Sequence, residues 1–371
     1  MIDRRLVEHF DWSMLFVLIS IIIIGLVSIY SALHARIEAN PAHNLFVRQC
    51  VWLGIGFVFM FGTLFVDYQR LSLASTWIYI FCVLLLILVV VVGKEVNGSK
   101  RWLSFLGLQF QPSELMKVAL VIKLSSYFSS QDVPFYPSLK HLILPILMTG
   151  LAVILILAEP DLGTALCILA TSASMIFFMG IRWRYILALI IIGFAMIQPV
   201  WEHVLKPYQK KRILILLAPD LDPLGAGYHI RQSKIAIGSG MFWGKGFLNG
   251  TQNKLQFLPE KHTDFIFSVW AEEWGFIGSS LLIVLFALLI TLSLRVALRS
   301  KDRFGSLLTI GMSGLILWQV VINIGMVIGL LPVVGITLPF VSYGGSSLVV
   351  LCFAMGIIQN VSMRRYVFRY T

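Results

Sequence analysis

Charged residues are scarce in this chain of 371 residues. Asp, Glu, Lys and Arg make up only 13% of the sequence, whereas 58% of it is hydrophobic and the mean hydropathy is +0.88. Soluble globular domains contain about 25% charged residues, so the composition excludes that class. The apolar runs are continuous and do not alternate with polar residues, which predicts membrane-spanning helices.

These runs predict an all-α polytopic membrane protein with ten transmembrane helices. A bilayer core of about 30 Å requires roughly 20 apolar residues per helix. Such runs lie near 13–33, 45–66, 76–92, 141–158, 162–180, 185–200, 265–294, 306–330 and 344–362. The tenth and weakest candidate, 112–129, carries Glu114, Lys117 and Lys123, and we expect a helix whose polar face points inward. Residues 1–371 are expected to form a single membrane domain.

Cysteine is also rare. The four cysteines (Cys50, Cys82, Cys167 and Cys352) lie in or beside apolar runs without paired spacing, which argues against a disulfide framework and against a zinc site. A nucleotide motif is missing as well, because Gly246 follows Gly244-Lys245 where a P-loop requires Ser or Thr. Although the net charge is +11, the sequence shows no nucleic-acid-binding module, so no nucleic acid is expected as a partner.

The distribution of Lys and Arg predicts the orientation of the helices. With ten crossings both termini share a side, and basic residues concentrate in the termini and in the loops of that side, among them Arg4, Arg295, Arg299 and Arg364. The positive-inside rule therefore predicts cytoplasmic termini. The segment 201–264, between the predicted seventh and eighth helices, is expected to be a long, flexible, basic extracytoplasmic loop, since long loops translocate largely regardless of charge.

This orientation places the least expected polar residues on the outer face. They are Arg101, Glu114, Lys117, Glu159, Asp161, Glu260, Lys261, His262 and Asp264. Most of them also have a purely structural interpretation. Glu114 and Lys117, three residues apart, can form an ion pair that holds helices together. Asp161 can cap the next helix, and His262-Thr263-Asp264 can form an N-cap before Phe265. Ionisable residues at membrane depth are nevertheless functional candidates, because burying them is costly.

An outward-facing site has no nucleotide pool, so a substrate there should arrive already activated. A lipid-linked pyrophosphate fits, since its tail can lie between helices while basic residues hold the departing pyrophosphate. A divalent cation, Mg²⁺ or Mn²⁺, is a candidate cofactor for that step, and no nucleotide is expected. Asp264, at a helix entrance, is our candidate for a general base on an acceptor hydroxyl.

Several motifs together resemble the SEDS family (shape, elongation, division and sporulation proteins). They are QPSELMK, EPDLGT, DPLGAGYHIRQSKIAIGSG, GTQNKLQFLPEKHTDFIFSVWAEEWG and LPFVSYGGSS. The similarity covers essentially the whole chain, and GTQNKLQFLPEKHTDFIF resembles the elongation (RodA) branch more than the division branch. The ordered set of long motifs makes the resemblance specific.

The resemblance implies a ten-helix peptidoglycan glycosyltransferase in the bacterial cytoplasmic (inner) membrane, acting on its outer face in cell elongation and rod shape. Its substrates would be lipid II and the undecaprenyl-pyrophosphate-linked glycan. Its partners would be a class B penicillin-binding protein with transpeptidase activity and elongation proteins such as MreC and MreD.

The family motifs also assign roles to residues. Asp264 is implied to be catalytic, and Arg101, Glu114, Lys117, Asp161, Lys261 and His262 to bind the substrate or support the site. Glu159 departs from the family, which more often has Gln there. A lipid II flippase and a scaffold for the penicillin-binding protein remain the alternatives, because either could use the same charged outer face.

Overall fold

The computed structural model describes residues 9–39, 45–96, 99–105, 108–134, 136–180, 225–254 and 261–365, together with residues 198, 199, 202, 210 and 214–216. The first helices are α1 (Trp12–Ala39), α2 (Leu45–Phe65), α3 (Gln69–Val92), α4 (Pro112–Ser129), α5 (Leu139–Ala158) and α6 (Leu162–Phe178). They are followed by α7 (Ala226–Ser239), α8 (Thr251–Lys254), α9 (Ile266–Leu298), α10 (Arg303–Val327) and α11 (Gly345–Arg364).

Seven of the described helices are long and apolar enough to cross a membrane: α1, α2, α3, α5, α9, α10 and α11. The predicted run 112–129 coincides with α4 and the run 162–180 with the shorter apolar helix α6. The predicted helix 185–200 lies outside the described residues. The protein is therefore a multi-pass helical membrane protein.

Helix α4 lies inside the bundle, as its charged sequence predicts. Pro112 occupies the first turn, where its missing N–H costs no hydrogen bond. Most of the helix is buried, including Glu114 and Lys117, and it packs against α3, α10 and α6. By contrast, α2, α3 and α5 expose many large apolar side chains, such as Val58, Leu73 and Ile154, as expected for helices that face lipid.

A small antiparallel sheet between α3 and α4 corrects the all-α prediction. Its strands are β1 (Lys94–Val96), β2 (Ser99–Phe105) and β3 (Leu108–Phe110), in the order β1-β2-β3. Leu103 pairs with Phe110 and Phe105 with Leu108. The sheet carries Arg101 and Trp102 to the end of the bundle where α4 begins.

Residues 225–254 are not the flexible loop that was expected for the whole of 201–264, because they form helices that pack on the bundle. Helix α7 lies against α9 and α10, where the Ser233 hydroxyl bonds both Ser268 (2.8 Å) and the carbonyl of Val327 (2.6 Å). The turn after α7 reaches a kink in α9 at Gly275, whose φ is 62°. A Cβ on Gly275 would come within 2.4 Å of the Gly244 nitrogen, so glycine permits this contact.

Candidate functional site

One end of the bundle contains a cavity of about 770 Å³, to which the first turns of α2, α4, α6 and α11 and the entry to α9 all contribute. We call this the cavity end. Val47, Val51 and Ile55 of α2 form an apolar wall, and charged side chains line other parts of the cavity. Of the predicted site residues, Arg101, Glu114, Lys117 and Asp264 line this cavity.

The Glu114 and Lys117 side chains form the ion pair that their spacing predicts. The Lys117 ammonium donates to Glu114 Oε1 and lies near Oε2, at 2.9 Å in each case. Both residues are buried, with 6% and 4% of their surface exposed. The pair therefore presents a lysine to the cavity while a carboxylate compensates its charge.

Arg101, which lines the cavity, lies close to the buried Asp161. The Arg101 guanidinium donates to the carbonyls of Glu159 (3.1 Å) and Pro160, and lies 3.8 Å from Asp161 Oδ1. Asp161 caps α6 by accepting from the Thr164 amide at 3.1 Å and also accepts from Gln111 at 3.0 Å. Asp161 is thus a buried cap, as its structural interpretation predicts, and it stabilises the wall formed by Gln111 and Thr164.

Asp264 lies at the entrance to α9 and lines the cavity. The N-cap residue of α9 is Phe265 and makes no side-chain capping bond, so the predicted capping group lies one residue outside the helix start. A Cβ on Gly335 would come within 3.3 Å of Asp264 Oδ2, and Gly335 has a φ of 73°. The absence of a side chain there leaves room for the carboxylate.

Two predicted residues near Asp264 do not line the cavity. Lys261 is buried, with 3% exposed, and the His262 carbonyl accepts from the Tyr343 amide at 2.9 Å. Both belong to the turn that leads into α9, and the His262 carbonyl ties this turn to Tyr343. Glu260 lies outside the described residues.

Glu159 is a buried carboxylate behind Arg101, with 1% of its surface exposed. Neither carboxylate oxygen has a hydrogen-bond partner among the described residues. Burial raises the pKa of Glu159 to about 8, Asp161 adds to that shift and Arg101 opposes it. The carboxyl is therefore largely protonated at neutral pH.

The sequence interpretation missed several cavity residues. They are Arg48, Trp52, Trp102, Gln111, Tyr343, Ser346 and Ser347. Arg48 lies one turn inside the apolar helix α2, and this position marks it as an intramembrane charge. The motif LPFVSYGGSS contributed to the resemblance without a role for any residue, and much of it forms the cavity wall.

The carboxylates of the cavity do not form a cation site by themselves. Within the described ranges, no cluster of three or more His, Cys, Asp or Glu residues could hold a metal ion. Glu114 is paired with Lys117, and Arg48 and Arg101 line the same space as Asp264. This donor set fits an anionic ligand better than a metal.

The chemistry of the cavity suits a ligand with an anionic head and an apolar tail. Arg48, Arg101 and Lys117 supply positive charge, the α2 wall is apolar, and Asp264 supplies a carboxylate beside them. Asp264 is well placed to accept a proton from a hydroxyl held in the cavity.

A family model described as the FtsW, RodA and SpoVE family of cell cycle proteins matches residues 11–367. The chain belongs to this family. It is 38% identical to the peptidoglycan glycosyltransferase MrdB of Escherichia coli over 96% of this chain and 94% of MrdB. It is 32% identical to the peptidoglycan glycosyltransferase RodA of Treponema pallidum over 97% of this chain and 99% of that protein.

Solved structures show the same fold. One match is a chain from a study of the structural coordination of polymerization and crosslinking by a peptidoglycan synthase complex, with a TM-score of 0.81 and 36% identity. It covers 96% of this chain and 98% of the other. RodA of Thermus thermophilus, the rod shape determining protein, matches with a TM-score of 0.70 and 33% identity over 97% and 98% of the two chains.

Proposed function

We propose that this protein is a peptidoglycan glycosyltransferase of the RodA type, which polymerises lipid II into glycan strands for cell elongation. The names of the relatives support the activity. The observation that carries it in this chain is one cavity that combines a carboxylate, three basic side chains and an apolar wall. For a lipid-linked sugar pyrophosphate, the apolar wall suits the lipid tail, the basic side chains suit the pyrophosphate, and the carboxylate can accept a proton.

In the proposed mechanism Asp264 is the general base. It removes the proton from the acceptor sugar hydroxyl, whose oxygen attacks the anomeric carbon of the lipid-linked donor chain. The bond to the pyrophosphate oxygen breaks, the configuration inverts and undecaprenyl pyrophosphate leaves. A single displacement with a good leaving group needs no second catalytic carboxylate, unlike most glycosidases.

The basic residues of the cavity offset the charge of the leaving pyrophosphate. Arg101 and Lys117 have this role in the proposal. Arg48, which lines the same cavity, joins them, and Glu114 orients Lys117 through their ion pair. Basic residues of the 201–264 segment are further candidates. The divalent cation, Mg²⁺ or Mn²⁺, stays a prediction, and a polymerisation assay with and without chelator tests it.

We propose ten crossings, with both termini cytoplasmic and the cavity extracytoplasmic. The distribution of basic residues supports this orientation, because Arg295, Arg299, Arg303 and Arg364 all lie at the end of the bundle opposite the cavity. Positive residues mark the cytoplasmic side of a membrane protein. The cavity would then open toward the outer leaflet, where lipid II is used.

The proposed partner is a class B penicillin-binding protein that cross-links the new strand. The similarity to a chain from a peptidoglycan synthase complex supports this pairing. MreC and MreD remain predicted partners. A lipid II flippase is the main rival, because a charged cavity can also carry a headgroup across a membrane without forming a bond.

Polymerisation by the purified protein together with its penicillin-binding partner tests the proposal. The complex is given lipid II and the glycan products are resolved by length. Wild type should make polymer and Asp264→Ala should make none, at equal folding and partner binding. Equal polymer from both would refute the role of Asp264, and lipid II flipping by both in vesicles without any polymer would favour the flippase.

A further inference from the structure

Three successive carbonyls precede α9, and each accepts a hydrogen bond from α10 or from residues 328–344, which we call the α10–α11 connection. The carbonyl of His262 accepts from the Tyr343 amide at 2.9 Å. That of Thr263 accepts from the Ser342 hydroxyl at 2.5 Å, and that of Asp264 from Asn323 Nδ2 at 2.9 Å. The backbone that carries Asp264 is therefore held at each residue.

Asn323 joins two walls of the cavity through one amide group. Its Nδ2 donates to the carbonyl of Asp264 and, at 2.6 Å, to that of Ile336. Both of those residues line the cavity, whereas Asn323 is 0% exposed, within the membrane-spanning helix α10. A buried amide that satisfies two carbonyls fixes their separation, because leaving either one unbonded is unfavourable.

Ser342 makes a second link of the same kind. Its hydroxyl donates to the carbonyl of Thr263 and accepts from the Leu338 amide at 2.8 Å. Gly335, in the same connection, leaves space for the Asp264 carboxylate. The connection thus fixes the residues just before Asp264 through Thr263 and His262, and at Gly335 it leaves room for the Asp264 carboxylate.

We propose that Asn323, with Ser342, is a positioning residue for Asp264, which sets the place of the carboxylate without touching the substrate. The inference rests on the proposed function, since it assigns these residues to the general base of that reaction. A catalytic group must be held within about 0.5 Å of its productive place, and a displacement of about 1 Å can reduce the rate on the order of 100-fold.

The chain offers a matched control on the same helix face. Gln319 lies one turn before Asn323 and is also buried, at 1% exposed. Neither of its side-chain polar atoms has a hydrogen-bond partner among the described residues. Gln319→Leu therefore removes a buried amide from α10 but leaves the contacts of Asp264 in place. Asn323→Leu removes the amide that donates to the Asp264 carbonyl.

The test compares both variants in complex with the penicillin-binding partner. Polymerisation is measured across lipid II concentrations, the stoichiometry of lipid II binding counts the folded sites, and thermal unfolding reports stability. For Asn323→Leu we expect kcat per binding site to fall about 10- to 100-fold, with KM and lipid II binding within about twofold. Gln319→Leu should keep its kcat within about twofold.

Wild-type kcat in Asn323→Leu would overturn the inference, and so would a rise in KM that accounts for the whole loss. If Asn323→Leu does not fold, Ser342→Ala carries the same test with the same expected split between kcat and KM. A wild-type complex that makes no polymer would refute the proposed function, and an active Asp264→Ala would refute Asp264 as its general base. An inactive Asp264→Ala beside a fully active Asn323→Leu would refute only the positioning role.

Discussion

The two ends of the helix bundle use the same residue types differently. At the end opposite the cavity, Asp302 caps α10 at the Gly305 amide and accepts from Tyr68 and Gln69, at 2.9 Å each. Arg303 donates to the carbonyls of Val133 (2.7 Å) and Pro134 (3.1 Å). These charged side chains end in contacts with other parts of the protein, and so they join the helices.

At the cavity end, two charged residues are held by internal contacts and also line the cavity. The backbone carbonyl of Asp264 accepts a hydrogen bond from Asn323, and its carboxylate lies beside the cavity. Arg101 is fixed by two carbonyls yet still lines the cavity. A charge whose contacts are internal serves stability, whereas a charge that is fixed and still accessible can serve chemistry.

The largest expected effect comes from breaking the buried pair at the cavity end. Lys117→Met leaves the Glu114 carboxylate buried without its cation, and losing one partner of a buried pair costs roughly 3–5 kcal/mol. Both polymerisation and thermal stability should fall. Adding Glu114→Gln to Lys117→Met should restore most of the stability and none of the activity.

Thermal unfolding and the polymerisation assay, run on the wild type and on the single and double variants, check this prediction. A double variant as unstable as the single one would mean that the buried charge is not the cause. Recovery of polymerisation in the double variant would remove Lys117 from the site.

A smaller effect, on stability alone, is expected at the opposite end. Asp302→Ala removes an N-cap, worth about 1 kcal/mol, and leaves the hydroxyl of the buried Tyr68 without its acceptor, which adds roughly 1 kcal/mol. The melting temperature should fall while kcat stays within about twofold. A loss of kcat in fully folded Asp302→Ala would contradict the division between the two ends.

A pH-dependent effect on stability is expected for Glu159→Gln. The folded pKa of about 8 lies above the ordinary 4.5. The stability that this carboxyl contributes is therefore fully present below about pH 4.5 and is lost as the pH rises through 8. Gln carries no charge at any pH. The variant should lie closest to the wild type in stability near pH 5 and exceed it by a growing margin as the pH rises toward 8.

Melting temperatures of the wild type and Glu159→Gln between pH 5 and pH 9 check this prediction. Parallel curves would show that the carboxyl does not titrate in that range.

Features with a local origin were predictable from the sequence. Helix α4 has the predicted bounds, because Pro112 starts it and the spacing of Glu114 and Lys117 marks an inward polar face. The cap at Asp161 also follows from its neighbours. The sheet was missed, although the dipeptide Asn-Gly, which the sequence has at 97–98, is a common signal for a hairpin.

Features that join distant parts of the chain were not predictable in this way. The bond from Ser342 to Thr263 spans 79 residues, and no local periodicity indicates it. In the sequence, Gly275 is an ordinary glycine within an apolar helix. The structure shows why glycine is needed there, because a Cβ would clash with the backbone of Gly244. The candidate base could therefore be named from the sequence, whereas the residues that hold it required the fold.

The most direct test of this division is the polymerisation rate of Asp264→Ala and Asp302→Ala, measured side by side with the penicillin-binding partner at saturating lipid II. We predict a loss of at least about 100-fold for Asp264→Ala with lipid II binding preserved, the size expected for removing a general base. Asp302→Ala should polymerise at close to the wild-type rate. Polymer from folded Asp264→Ala at the wild-type rate would contradict the account.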